Sequence, residues 1–138
     1  MKINEMIQQI RSGAFDTQFL DIYGETETPK NRFTDACEAF KNLFGDLDNI
    51  RIFSAPGRTE IGGNHTDHQH GRVLAGSVNL DVIAIVSETD QSVIHIKSAG
   101  YDMDTVDINS LSVQPKETGR SSALIRGVCA AFRQNGKK

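Results

Sequence analysis

Between Ser54 and Gly71 the chain reads S-A-P-G-R-T-E-I-G-G-N-H-T-D-H-Q-H-G, and these eighteen residues hold most of its chemically useful side chains. Three of its four histidines (His65, His68, His70) fall here, together with Arg58, Asn64 and Asp67. Apolar side chains are nearly absent, so the stretch has little to offer a core. It reads as a long loop between two β-strands, the setting in which rigid scaffolds commonly hold binding groups. One use is recognition of a small polyol. Asp67 can accept two hydroxyl protons, Asn64 and His65 can each donate or accept, and Arg58 brings a fixed cation. Gly62 and Gly63 would let the backbone approach a ligand closely. A second use is metal binding by His65, Asp67, His68 and His70, whose donors suit a transition metal. That reading lacks partners: the H-x-D-H order of dinuclear hydrolases needs a histidine where Gly63 stands, and only His95 remains elsewhere. The plain alternative is a solvated loop whose glycines make turns.

The elements that must position this stretch follow from periodicity. Ile3, Met6, Ile7 and Ile10 mark a helix ending near Ser12-Gly13. Asp16 is expected to cap a second one bearing Phe19, Leu20 and Tyr23 and stopped by Gly24. Residues 25–31, polar and containing Pro29, are expected to form a loop. Phe33, Ala36, Cys37, Phe40, Leu43 and Phe44 give a third helix ended by Gly45. Residues 50–55 are expected as a short strand and 73–75 as another. Residues 78–88 should then form a hairpin with 92–98 through Thr89-Asp90-Gln91. His95 alternates with Ile94 and Ile96 and belongs on the wetter face. Residues 104–108 suit an edge strand and 111–119 a loop. A last helix is expected over 121–134, capped by Ser121 or Ser122. It should bury Leu124, Ile125, Val128, Cys129 and Phe132, with Gly127 packed closely on the sheet. The fold class is α+β, one mostly antiparallel sheet with helices on one side.

With 138 residues, 38% apolar and 24% charged, the composition is that of one soluble globular domain. A formal charge of −3 offers no field to recruit nucleic acid or an anionic membrane. No apolar run has the length of a membrane span, and no signal peptide is evident. Cys37 and Cys129 read as buried free thiols in a reducing, cytoplasmic setting.

The stretch from Ser54 to Gly71 resembles the galactokinase signature, usually close to P-G-R-V-N-L-I-G-E-H-T-D-Y-x-x-G. Galactokinases belong to the GHMP family of small-molecule kinases. The resemblance extends to F-K-N-L-F-G before it, V-L-A-G-S-V-N-L-D after it, and the I-R-G-V of the last helix, which is similar to the family's Y-V-K-G-V. It implies a ribosomal-S5-like fold for residues 33–138, with residues 1–32 a helical extension. The implied activity is ATP-dependent phosphorylation of galactose, or a galactose derivative, at the anomeric hydroxyl. Arg58 matches the arginine near the reacting oxygen, His65 and Asp67 match residues that bond sugar hydroxyls, and Asn64 stands where a glutamate reaches towards the sugar's C6 end. ATP and Mg²⁺ are the implied cofactors and a hexose the implied ligand. A galactokinase-like sugar sensor without turnover is the alternative within the same resemblance.

The departures are informative. Glu60 replaces an asparagine, Gly62 an aliphatic residue, Asn64 the glutamate and His68 a tyrosine; Arg120-Ser121-Ser122 stands where a tryptophan precedes the last helix. Loss of a negative charge at Asn64 suggests tolerance of a sugar acidic at C6, such as galacturonate. Neither G-x-x-x-x-G-K-[ST] nor a Gly-Ser-rich phosphate loop occurs. The chain is therefore expected to be the sugar-contacting front portion of a longer enzyme, inactive alone and completed by a C-terminal lobe.

Overall fold

The computed structural model describes residues 1–63 and 70–136. The chain divides into two compact units, Met1–Glu88 and Thr89–Lys138, rather than forming the single domain expected.

The first unit begins with three helices. In α1 (Ile3–Arg11) the expected stripe Ile3, Met6, Ile7 and Ile10 is buried, and Glu5 accepts the Lys2 amide at 3.1 Å to satisfy one free N–H of the first turn. In α2 (Asp16–Tyr23) Asp16 lies in the first turn and caps nothing. Gly24 ends the helix at φ +76, a left-handed conformation that costs glycine little. The third helix, α3 (Glu27–Phe44), overturns the loop expected over residues 25–31. Pro29 falls in its first turn, where amides have no intrahelical acceptor, so the missing N–H costs no hydrogen bond. The expected boundary between residues 32 and 33 falls inside this helix. Helices α1 and α3 bury one cluster, Ile3, Met6, Ile7, Ile10, Phe33 and Cys37, joined by Phe19 of α2 and by Ile50. Phe19 and Phe33 meet with ring centroids 5.1 Å apart.

Against these helices lies a two-stranded antiparallel sheet of β1 (Arg51–Gly62) and β2 (Leu74–Val86). Ile52, Ile83 and Ile85 pack on the helical core, whereas Phe53, Leu80 and Val82 are exposed. Both strands are longer than expected. β1 continues through Ser54–Gly62, half of the presumed loop, because residues with no core face to fill can extend a ladder without apolar alternation. The segments expected at 73–75 and 78–88 form one strand. The partner of β2 is β1, so the expected hairpin between residues 78–88 and 92–98 does not form.

The second unit holds β3 (Val93–Lys97) paired antiparallel with β4 (Met103–Asp107), a 3₁₀ turn at Pro115–Glu117, and α4 (Ser121–Gln134). The sheet expected as one is thus two separate antiparallel pairs among the described residues. His95 is exposed and meets Thr105 Oγ1 at 3.2 Å. The limits of α4 are as expected; its orientation is not. Ser122 and Arg126 are buried while Leu124, Val128 and Phe132 are exposed. Ser121 donates to Asp104 rather than capping, and a Cβ on Gly127 would meet nothing within 4 Å, so close packing does not explain that glycine. What turns the helix is Arg126. Its guanidinium holds Glu117 through two bonds, 2.8 and 2.7 Å, and donates to the carbonyls of Asp107 and Ser110.

Both cysteines are free. Cys37 is fully buried, which pushes its thiol up to about 11, whereas Cys129 is partly exposed. Among the described residues no helix is long and apolar enough to cross a membrane.

Candidate functional site

Arg58 lies on β1 opposite Ser77, with its side chain exposed. It is not on the loop proper: the ladder continues past it to Gly62, opposite Leu74. Gly63 follows at φ +101, and a side chain there would collide with the main chain of Arg72 and Val73, whose Cα would stand 2.8 Å away. Only glycine fits this crossing. The two strands are therefore pinned together where the signature stretch leaves one and rejoins the other. His70 adopts φ +58 and is exposed.

Asn64, His65 and Asp67 lie outside the described residues, as does His68, and so does their grouping with Arg58 on one bend. Of the four residues in the metal reading only His70 is described. Among the described residues no three His, Cys, Asp or Glu side chains converge as a metal site would require.

Sequence reasoning overlooked Asp81. Its side chain, 3% exposed, sits on the face of β2 turned towards the helices. Tyr23 donates to Oδ2 at 2.7 Å, Ser54 donates to the same oxygen, and Arg32 pairs with Oδ1 while donating to the Asp81 carbonyl at 2.8 Å. One carboxylate thus joins α2, α3, β1 and β2. Burial alone would push the Asp81 carboxyl up. The hydrogen bonds from Ser54, Tyr23 and Arg32 outweigh it and hold the group below the usual carboxylate range. Burial first, then the bond to Asp81, raises the Tyr23 phenol. A signal was available: an aspartate inside a valine- and isoleucine-rich strand needs a partner if it faces inward.

Beside this cluster an apolar cleft of about 260 Å³ is lined by Phe15, Phe19, Ile22, Tyr23, Ile52 and Ser54. In the second unit a larger, open recess is bordered by Asp104, Lys116, Glu117, Arg120 and Ser122. Neither of these two is lined by Arg58.

The galactokinase galactose-binding signature matches residues 38–88, which take in the end of α3, both strands of the first sheet and the stretch between them. The chain is 30% identical over 99 residues to the galactokinase of Streptomyces coelicolor, covering 72% of this chain and 25% of that protein. It is 32% identical over 94 residues to the galactokinase of Halalkalibacterium halodurans, covering 67% of this chain and 23% of that protein. With the galactokinase of Dictyostelium discoideum the identity is 28% over 127 residues, 85% of this chain and 25% of the relative. No solved structure matches significantly. The chain spans about a quarter of the length of these curated relatives. The chain thus carries the galactokinase galactose-binding signature and is similar to an N-terminal portion of galactokinases.

Proposed function

We propose that this chain supplies the sugar-contacting part of a galactokinase, an enzyme that transfers the γ-phosphoryl group of ATP to the anomeric hydroxyl of galactose. The observation that carries the reading is the galactose-binding signature, which coincides with the β1–β2 pair, its pinned crossing at Gly63 and Arg58. In this reading Asn64, His65 and Asp67 bond the sugar hydroxyls. Arg58, a permanent cation anchored in a strand, lies near the reacting oxygen and lowers the cost of charge developing there and on the phosphoryl group.

ATP and Mg²⁺ belong to the reaction but find no home in the described residues. No phosphate-cradling glycine loop occurs in the sequence, and no three acidic or histidine side chains converge among the described residues. The chain is proposed to be inactive alone and to act with a C-terminal lobe, in the cytoplasm, within an S5-like GHMP architecture. Asn64 is proposed to relax selectivity at the C6 end of the sugar.

A galactose titration of the 138-residue chain followed by NMR tests this, run beside N-acetylgalactosamine, galacturonate and glucose. Saturable shifts with galactose that disappear in Asp67→Ala and weaken measurably in Arg58→Ala are expected, without ATP turnover. Equal shifts with glucose, or none with any sugar, would sink the assignment; ATP turnover would refute inactivity. Asn64→Glu should weaken galacturonate relative to galactose.

A further inference from the structure

The β1–β2 ladder is regular from Arg51 opposite Val86 to Pro56 opposite Asp81, breaks, and resumes with Arg58 opposite Ser77. Across the break β1 uses a single residue, Gly57, while β2 uses Val78, Asn79 and Leu80. The β2 backbone folds over Gly57 so closely that a Cβ there would stand 2.8 Å from the Leu80 carbonyl oxygen and 3.3 Å from Val78 Cγ2. Bulges of this kind kink a strand and re-aim the neighbouring side chains. The side chain directly after this one is Arg58.

Asp81 is the residue at which regular pairing stops. Arg32 of α3 grips both its carboxylate and its carbonyl oxygen, Tyr23 of α2 holds the carboxylate from another side, and Ser54 ties it to β1 two residues before Pro56. For cohesion alone, a valine at this inward position would pack without the cost of burying charge. What a valine cannot supply is a fixed strand position: three donors converging on one carboxylate, and a fourth bond to its main chain, leave β2 no freedom to slide past Gly57.

We propose that the Arg32–Asp81 clamp is a positioning device for Arg58: by fixing the bulge over Gly57 it sets the direction in which the signature arginine leaves the sheet. This rests on the reading of Arg58 as a sugar-site residue. Asp81 and Gly57 then govern sugar affinity without touching the sugar.

The test uses the 138-residue chain with two variants that attack the bulge from opposite strands. Asp81→Asn removes the charge while keeping the shape; Gly57→Ala puts a methyl against the Leu80 carbonyl. Each is measured under conditions where its amide spectrum shows it folded. Both are expected to move the Arg58 Nε–Hε resonance and to weaken galactose binding by about tenfold or more, as for loss of one oriented, charge-assisted hydrogen bond. In an Arg58→Ala background neither should weaken binding further, because the two changes act through the same group. A purely cohesive role predicts the opposite: additive losses and an unmoved Arg58 resonance, and either result overturns the proposal. If Arg58→Ala itself leaves galactose affinity unchanged, the sugar reading of Arg58 falls instead, and the Arg58 resonance alone decides whether the clamp exists.

Discussion

The two units solve the problem of cohesion differently. The first buries eight apolar side chains in one cluster among the described residues, from Ile3 to Ile50, and adds the Asp81 cluster at its edge. The second fully buries one large apolar side chain among the described residues, Val106, and places Glu117, Ser122 and Arg126 where a core would be. Apolar burial is non-directional, so the first unit can hold its strands against the helices while leaving their register to the Asp81 bonds. A bidentate arginine–carboxylate pair is directional, and in the second unit it dictates which face of α4 turns inward. The lesson is that an ion pair can override an apolar stripe when little apolar surface competes with it.

The largest effect should come from the apolar side. Ile10→Ala, deleting a fully buried side chain of α1, is expected to destabilise the first unit by about 3 kcal/mol. Hydrogen exchange read unit by unit would show it, and protection in α1–α3 that is unchanged would mean the cluster is not what holds that unit. A smaller loss is expected from Glu117→Gln, seen as reduced protection in α4. The bond from Arg126 holds the Glu117 carboxyl below its usual range. Its contribution is therefore fully present above the ordinary carboxylate pKa of about 4 and is lost as pH falls through the folded value. The Asp81 carboxyl is depressed too and follows the same sign. The comparison sharpens if α4 loses its near-native packing in acid before α1–α3, which the apolar cluster still supports; simultaneous loss breaks it. The smallest effect is a gain. Gly127→Ala places a methyl in open space within a helix and should stabilise α4 by about 1 kcal/mol. A loss there would show that the glycine answers to a neighbour absent from this chain.

How far the sequence reached depends on the range of the interaction. The stripe of α1, the glycine stops of α2 and α3 and the limits of α4 are local matters of apolar spacing and chain punctuation, and they were legible. Pro29 misled because its cost depends on where in a helix it falls. Strand pairing was illegible: alternation identifies a strand but not its partner, so β2 was given to β3 instead of β1. The face of α4 was misread because amphipathicity presumes that an apolar stripe is covered, and nothing local reveals that Arg126 will find Glu117. At the site, the signature stretch was recognised with Arg58 in it, yet half of that stretch proved to be strand. Asp81 escaped because its partners lie 58, 49 and 27 residues away along the chain.

The unequal burial of the two thiols has a practical outcome. An alkylating reagent needs the thiolate, which Cys37 scarcely forms near neutrality because burial raises its ionisation to about 11, and which it could not present from a closed interior in any case. Cys129, partly open on α4, is expected to accept the same reagent. A fluorophore can thus be attached to the second unit of the unmodified sequence, and delayed modification of Cys37 then serves as a clock for opening of the first.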